Sequence, residues 1–212
     1  VSGFETIHLV GNNVGDNNFR GAVNAYNLTL TNDLINANGV DAGGVRRIAI
    51  VNDNDPANDT VGTADTGGTG SERGVTIDAR GLSANRSFSY NGEEGGTRTA
   101  DRFILADANI NGANIIDGGA ANNVVLGAAV ANNDVIEVRN AAVVSVGDLA
   151  NIKNVGTLAF TTDQAVNQSA VLELNDTVLD ALVDSFHVAS TTERETLTVR
   201  TNDLVNDLPG AI

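Results

Sequence analysis

The sequence has no cysteine, methionine or tryptophan, and aromatic residues make up only 4% of its 212 positions. Without cysteine, the chain can have neither a disulfide framework nor a thiolate metal site. Without many aromatic side chains, its core must be built from Val, Ile, Leu and Ala. Small and β-branched side chains suit a thin, regularly stacked interior better than a thick globular core.

Positive charge is also scarce. Lys153 is the one lysine, and 12 basic residues stand against 27 acidic ones, so the formal net charge is −15. An acidic surface repels phosphate backbones, which argues against a nucleic-acid partner. It attracts divalent cations instead. Much of the carboxylate charge lies beside Asn and Gly, in turns whose oxygens suit hard cations such as Ca²⁺.

The sequence lacks the run of roughly 20 apolar residues that a membrane-spanning helix needs. It begins at Val1, with no initiating methionine and no signal peptide. We therefore expect residues 1–212 to be a single segment of a longer protein whose secretion signal lies elsewhere. Within that segment we interpret residues 52–72 as an acidic loop insertion.

Short apolar runs bounded by Asn, Asp and Gly recur along the chain, often alternating apolar with polar residues as strands do. The clearest predicted strands are 6–10, 26–30, 47–51, 75–77, 87–90, 102–105, 123–126, 135–138, 157–160, 171–174 and 196–199. Helical spacing is evident from Thr177 to His187, with Asn175 or Asp176 as the N-cap. A weaker helical pattern spans Val143 to Ile152.

These elements predict an all-β fold with one or two short helices, and they leave two architectures open. A parallel β-solenoid (a β-helix or β-roll) is favoured because Ile/Val pairs followed by Asx-Gly turns repeat loosely from Asn109 to Gly127. Stacked units of this kind bury one aliphatic column. The alternative is a β-sandwich, whose strands are usually longer. Asn38-Gly39 and Asn91-Gly92 are the two Asn-Gly pairs that suit a hairpin turn.

Two groups of oxygen-bearing side chains are candidate calcium ligands. The first follows a predicted strand, where Asp53, Asp55 and Asp59 can converge on one ion if the loop curls. The alternative is a solvated acidic turn, since Asx-rich turns form without metal.

The second group of candidate ligands flanks the glycine-rich centre of the chain. A stack of turns there would align the oxygens of Asp107, Asp117, Asn122 and Asn123 in one column, which Asp134 would continue one turn later. The alternative is an Asx ladder, in which side-chain amides cap the neighbouring turn and no metal is bound.

Residues 118–126, Gly-Gly-Ala-Ala-Asn-Asn-Val-Val-Leu, resemble the calcium-binding nonapeptide G-G-x-G-x-D-x-U-x of RTX (repeats-in-toxin) proteins. The first two glycines and Val125 match that motif, whereas Ala121 and Asn123 replace its third glycine and its aspartate. Residues 67–75 form a second partial match, with Glu72 at the acidic position.

Other sequence segments of the chain are also similar to RTX-related surface-layer and adhesin-type bacterial proteins. Residues 1–9 and 149–160 resemble one recurring unit of those proteins, and residues 75–82 resemble another. The resemblance implies a parallel β-roll in which aspartates and backbone carbonyls of adjacent turns share Ca²⁺. Folding is then linked to metal, because carboxylates that are not neutralised repel one another.

No catalytic motif accompanies the two histidines, His8 and His187, since the sequence contains neither G-x-S-x-G nor a P-loop. Glu93 and Glu94 do not suit a glycosidase pair, because adjacent residues of a strand point to opposite faces. We therefore expect no enzymatic activity.

The sequence as a whole predicts a calcium-stabilised structural or assembly module of an extracellular bacterial surface protein. Such a module would belong to a surface layer, adhesin or filament and would associate with like subunits. The alternative is a polysaccharide-binding module of a secreted protein. The scarcity of aromatic platforms argues against it, because only two Tyr and six Phe are present.

Overall fold

A computed structural model describes residues 2–10, 26–53, 74–92, 100–119, 124–125, 128–129, 134–140, 143–162, 171–183 and 198–203. This part of the chain is mainly β, as the sequence predicts. In chain order the strands are β1 (Thr6–Val10), β2 (Tyr26–Thr29), β3 (Val40–Ala42), β4 (Val45–Asp53), β5 (Val75–Asp78), β6 (Arg86–Asn91), β7 (Arg102–Ala106), β8 (Ile115–Asp117), β9 (Val124–Val125), β10 (Ala128–Ala129), β11 (Val135–Arg139), β12 (Val143–Val144), β13 (Ile152–Lys153), β14 (Thr157–Thr162), β15 (Val171–Leu172) and β16 (Thr198–Asp203). The helices are α1 (Asn32–Asn38), α2 (Val146–Leu149) and α3 (Asp176–Val183), and a short 3₁₀ helix covers Asp107–Asn109.

Two sheets organise most of these strands. The first has the order β1-β4-β6-β8-β13, and the second has the order β16-β14-β11-β7-β5-β2. Every pairing along these two paths is parallel. The strands on these two paths alternate between the sheets from β1 to β14, and each new strand lies beside the previous strand of its own path. Passage through the other sheet therefore supplies the long connection that parallel neighbours require.

Residues in register form an apolar column along each sheet. In the first sheet, Ile7, Ile50, Tyr90, Ile116 and Ile152 are successive partners. The last four of these side chains are buried. Full burial of a large apolar side chain contributes roughly 1.5–3 kcal/mol. The column therefore holds neighbouring strands together although each strand is short.

The second sheet has a matching column in its interior. Leu28, Ile77, Phe103, Ile136 and Leu158 are successive partners there. The rings of Tyr90 and Phe103 meet edge to face, with centroids 4.9 Å apart and planes at 67°. The two columns therefore touch, and the core between the sheets is largely aliphatic, as the composition predicts.

The helices show which local signals are strong enough to be read from sequence. The start of α3 is confirmed, because the Val178 backbone N–H donates to Asn175 Oδ1 at 2.9 Å. The predicted end of that helix, at His187, lies outside the described residues. Helix α2 occupies the middle of the weaker helical pattern, with β12 and β13 at its flanks. No described helix has the length and apolar character needed to cross a membrane.

Helix α1 was not predicted, and it explains why Asn38-Gly39 is not a hairpin turn. Thr31 Oγ1 caps its start by accepting from the Leu34 backbone N–H at 3.2 Å. Gly39 ends it, donating its N–H to the Ile35 carbonyl at 2.7 Å. The antiparallel hairpin follows, between β3 and β4, and turns at Gly43-Gly44, where both φ angles are positive. The predicted hairpin is therefore displaced by a few residues.

The prediction of a hairpin at Asn91-Gly92 is wrong. Asn91 is the last residue of β6, and both neighbours of β6 are parallel to it. The Gly92 N–H donates to the Asp117 carbonyl at 2.8 Å, so this glycine continues the contact between β6 and β8. A Cβ at Gly92 would stand 2.5 Å from the Gly118 carbonyl oxygen. The glycine is therefore required by close approach of two backbones rather than by a turn.

Candidate functional site

The eight predicted calcium ligands fall into three groups in the structure. Asp55, Asp59, Asn122 and Asn123 lie outside the described residues. Asp53 is the last residue of β4. Asp107, Asp117 and Asp134 are described with their side chains. In the described part of the chain, no three His, Cys, Asp or Glu side chains are grouped closely enough to hold a metal. These last three aspartates are therefore not brought together.

Asp107 is exposed at the first position of the 3₁₀ helix. The residue that this helix directs inwards is Asn109. Asn109 Oδ1 accepts from the Ala106 backbone N–H at 2.7 Å, and its amide nitrogen donates to the carbonyls of Ala79 and Leu82. Asn109 thus ties the turn after β7 to the turn after β5.

Asp117 lies at the end of β8, where its carboxylate contacts the next strand of the first sheet. Its Oδ2 is 2.7 Å from Lys153 Nζ, and Lys153 is its in-register partner. Its Oδ1 accepts from Asn154 Nδ2 at 2.6 Å and from the Gly119 backbone N–H at 3.1 Å. These contacts have the form of the Asx ladder weighed as the alternative to metal.

Other asparagines make the same kind of contact between successive turns. Asn111 Nδ2 donates to the Ala84 carbonyl at 2.9 Å, and Asn151 Nδ2 donates to the Gly112 carbonyl at 2.7 Å. Asn114 Oδ1 accepts from the Phe88 backbone N–H at 3.1 Å. Because such bonds satisfy backbone groups that the short strands leave unpaired, much of the asparagine content has a structural explanation.

Asp134 belongs to a different environment, a buried acidic cluster formed by Asn52, Tyr90, Asp101 and Asp134. Asp101 is only 4% exposed and Asp134 only 5%. Each of these aspartates immediately precedes a strand of the second sheet. Asp101 Oδ1 accepts from the Val75 backbone N–H, and Asp134 Oδ1 accepts from the Asp101 backbone N–H, both at 2.7 Å. Each carboxylate therefore reaches back to the start of the preceding strand.

Tyr90 connects this cluster to the first sheet. Its hydroxyl donates to Asp101 Oδ2 at 2.5 Å and accepts from Asn52 Nδ2 at 3.1 Å. Burial raises the pKa of Tyr90 well above its ordinary value, and the nearby charges of Asp101 and Asp134 raise it further. The hydroxyl therefore keeps its proton and remains a hydrogen-bond donor. Asn52 Oδ1 is buried without a hydrogen-bond partner among the described residues.

Gly118 makes room for the buried acidic cluster. A Cβ at this position would stand 2.5 Å from Asp134 Oδ2 and closer still to the Asn154 carbonyl oxygen. Real Cβ atoms do not approach other atoms so closely. Gly118 is also the first glycine of the segment that resembles the nonapeptide, so this glycine has a packing role that sequence comparison does not show.

A second ionic group lies at Glu137 in β11, whose side chain is 3% exposed. It pairs with Arg102 and with Arg139, the latter at 2.6 Å, and its Oε1 accepts from Thr161 Oγ1 at 3.1 Å. Burial alone would raise the pKa of Glu137. The hydrogen bonds and charges of the two arginines outweigh burial and hold the pKa below its usual range. The group ties β7, β11 and β14 together.

Sequence reasoning missed Asn52, Tyr90, Asp101 and Glu137. One signal was present, since Asp101 and Asp134 each stand directly before an apolar run that forms a strand. A single aspartate before a strand is too common to identify a site by itself, and only the register brings these two together.

No protein-family model, curated protein or solved structure matches this chain. The likeness to RTX-related proteins stays a prediction. Val125, in the segment that carries this likeness, belongs to β9, which pairs antiparallel with β10.

Proposed function

We propose that the chain is a structural and assembly module of an extracellular bacterial surface protein, wound as a parallel β-solenoid. The observation that carries this proposal is the strand order. Along the two sheet paths the strands from β1 to β14 alternate between the sheets and join each path in chain order, parallel to the previous strand of that path. Winding of this type builds an extended body from one small unit repeated along an axis, and each layer contacts mainly its neighbours.

The ionisable groups of the described residues support a structural role. Glu137 and Asp117 form ion pairs that join strands, and Asp101 and Asp134 accept backbone N–H groups inside the molecule. A catalytic group needs access to a substrate and a partner poised for proton transfer. These four carboxylates are instead occupied in holding one layer against the next, so we propose that the module is not an enzyme.

The edges of the first sheet support the proposal of self-association. Along this path β13 is the last strand, and α3 covers it, since the backbone N–H groups of Asn154 and Val155 donate to the carbonyls of Ala181 and Leu182. At the opposite edge, β1 pairs with β4 alone among the described strands. A strand with one unpaired side is a template for another strand. We propose that like subunits meet there.

We propose calcium as a counter-charge for the acidic turns. The buried acidic cluster offers two carboxylates and the amide oxygen Asn52 Oδ1, which has no hydrogen-bond partner in the described part of the chain; these are ligands of the type that Ca²⁺ prefers. Burying carboxylates is costly without compensation. Asp53, Asp55 and Asp59 follow Asn52 closely in sequence and stay predicted ligands.

Aromatic burial weakens the polysaccharide alternative. Phe88, Tyr90, Phe103 and Phe160 are all buried. Sugar-binding sites usually present aromatic faces to solvent, and these four residues of the described chain do not.

The test of the proposed function is thermal unfolding with excess Ca²⁺ and with chelator, followed by circular dichroism and light scattering. A ligand at about 100 times its Kd stabilises by about 2.7 kcal/mol. For a chain of this size that raises the Tm by about 5–10 °C. We expect this shift in the wild type and in Asp107→Asn, whose carboxylate is exposed, and its loss in Asp134→Asn.

Each part of the proposal has its own contrary result. Equal melting temperatures with calcium and with chelator would refute the calcium role. A compact globular shape in small-angle X-ray scattering would refute the solenoid. A mass that stays monomeric at every concentration would refute self-association.

A further inference from the structure

Two arginines lie side by side on the first sheet, and we call them the Arg46–Arg86 pair. They are direct partners in the parallel register of β4 and β6, so their side chains leave the same face of the sheet. Arg46 Nη1 donates to the Asn36 carbonyl at 2.7 Å, and Arg86 Nε donates to Asn36 Oδ1 at 2.6 Å. One residue near the end of α1 therefore holds both guanidinium groups.

The described residues give this pair no carboxylate partner. Ion pairs there involve Arg80, Arg102, Arg139 and Lys153. Asp41 is opposite Arg46 across the β3–β4 hairpin, but its Oδ1 accepts from the Gly44 backbone N–H at 2.9 Å and it makes no ion pair with Arg46. The pair is therefore a local concentration of positive charge on a chain whose net charge is −15.

Within the described chain, neither the positive charge of the Arg46–Arg86 pair nor all of its hydrogen-bond donors are satisfied. Like charges directly opposite each other on neighbouring strands are destabilising. The carbonyl and amide oxygens that the pair contacts reduce this repulsion without removing the net charge. Within the described chain, Arg46 Nε and Nη2 and Arg86 Nη2 donate no hydrogen bond. These are the donors that form a two-pronged contact with a carboxylate.

We infer that the Arg46–Arg86 pair is an interaction surface for carboxylates of a second copy of this chain. Charge complementarity identifies the occupant. With 27 acidic residues and 12 basic ones, two copies repel each other over most of their surfaces. They approach most readily where a cationic patch on one copy meets the acidic surface of the other. This inference rests on the proposed self-association and assigns it a contact.

The experiment is sedimentation velocity of the wild type and of Arg46→Gln/Arg86→Gln over a range of protein and salt concentrations. We expect the double substitution to weaken self-association about tenfold, because two partly exposed charged contacts together contribute about 1.4 kcal/mol. Raising the salt concentration weakens the wild type in the same direction, since the contact is electrostatic.

The matched control is Arg80→Gln/Lys153→Gln, which removes the same number of positive charges. Both of these side chains are exposed and already paired, with Asp78 and Asp117. We expect this control to leave self-association within about twofold of the wild type. Arg46→Lys/Arg86→Lys keeps the positive charges but lacks the planar guanidinium groups. We expect its self-association to be stronger than that of Arg46→Gln/Arg86→Gln and weaker than that of the wild type.

Arg46 also contacts the carbonyls of Asn36 and Gly39 at the end of α1, so its loss could unfold that region. Arg86→Gln alone avoids this, and thermal melting of each variant verifies that it is folded. If the wild type stays monomeric, both this inference and the proposed self-association fail. If it associates equally well in the double variant and the control, the inference alone fails. Retention on a polygalacturonate matrix that depends on both arginines, with monomeric mass, also overturns it in favour of an acidic polysaccharide.

Discussion

Replacing Tyr90 by phenylalanine removes its hydroxyl group and so tests how much the hydrogen bonds of the buried acidic cluster stabilise the fold. The hydroxyl donates to Asp101 and accepts from Asn52, and the side chain has almost no contact with solvent. A hydrogen bond to a charged group contributes about 1.5–3 kcal/mol, and a buried donor left without an acceptor costs about 1–3 kcal/mol. Phenylalanine preserves the ring contact with Phe103. We therefore expect Tyr90→Phe to lower the free energy of unfolding by about 2–4 kcal/mol.

The assay is thermal or urea unfolding followed by far-ultraviolet circular dichroism. For a chain of this length, the expected loss lowers the Tm by about 5–15 °C. Tyr26→Phe is the matched control, because Tyr26 and Tyr90 are the two tyrosines and Tyr26 is only partly buried. We expect the control to change stability by much less. A Tyr90→Phe variant as stable as the wild type, to within about 0.5 kcal/mol, would refute the account of the cluster.

An alkaline titration tests the same hydrogen bonds by another route. The folded protein raises the pKa of Tyr90 above the ordinary value of 10.0. Its contribution to stability is therefore complete below about pH 10 and is lost as the pH rises towards the folded-state pKa. In Tyr26→Phe, we expect tyrosinate absorbance to appear only together with unfolding. Its appearance near pH 10 in a chain that is still folded would contradict the buried position of Tyr90.

Two further predictions concern Glu137 and Gly118. The pKa of Glu137 is lowered from 4.5 in the folded chain, so its contribution to stability is complete above about pH 4.5 and is lost as the pH falls through the folded-state pKa. In a series of melts at decreasing pH, Glu137→Gln should be less stable than the wild type at pH 7 by about 1–3 kcal/mol and should lose less on acidification. Gly118→Ala should cost about 3 kcal/mol in urea unfolding, because its Cβ overlaps the Asn154 carbonyl oxygen. Gly81→Ala, whose Cβ would have an ordinary 3.5 Å contact, should cost less than about 1 kcal/mol, and equal costs would contradict the packing argument.

Local patterns were sufficient to place most of the strands. β1 begins and ends at the predicted residues, and β7 and β11 extend the predicted runs by one residue each. Alternating burial and flanking turn formers act over a few residues, so they can be read from the sequence. Helix α1 was not predicted because its stability comes from the Thr31 cap and from one fully buried apolar side chain, Ile35. A single buried apolar residue does not create the helical hydrophobic periodicity that sequence analysis detects.

Pairing and the site were much harder to predict, because they depend on contacts between distant parts of the chain. Nothing local to Tyr90 indicates that its hydroxyl meets Asp101, or that Asp134 lies one strand further along. The Asp117 contacts match one of the two alternatives that the sequence leaves open, an Asx ladder. The sequence could not choose between that ladder and a metal site, because both use the same residue types at the same spacing.

The spacing between paired strands varies widely while the pairing itself stays regular. Val135 and Thr157 are partners in the second sheet, and so are Tyr26 and Val75, although far more chain separates the latter two. Helix α1 and the β3–β4 hairpin lie within the longer connection, and the pairing is parallel in both cases. A molecule with this architecture can gain or lose surface segments over evolutionary time without altering its interior. The face that it presents to other molecules can therefore diversify faster than the frame beneath it.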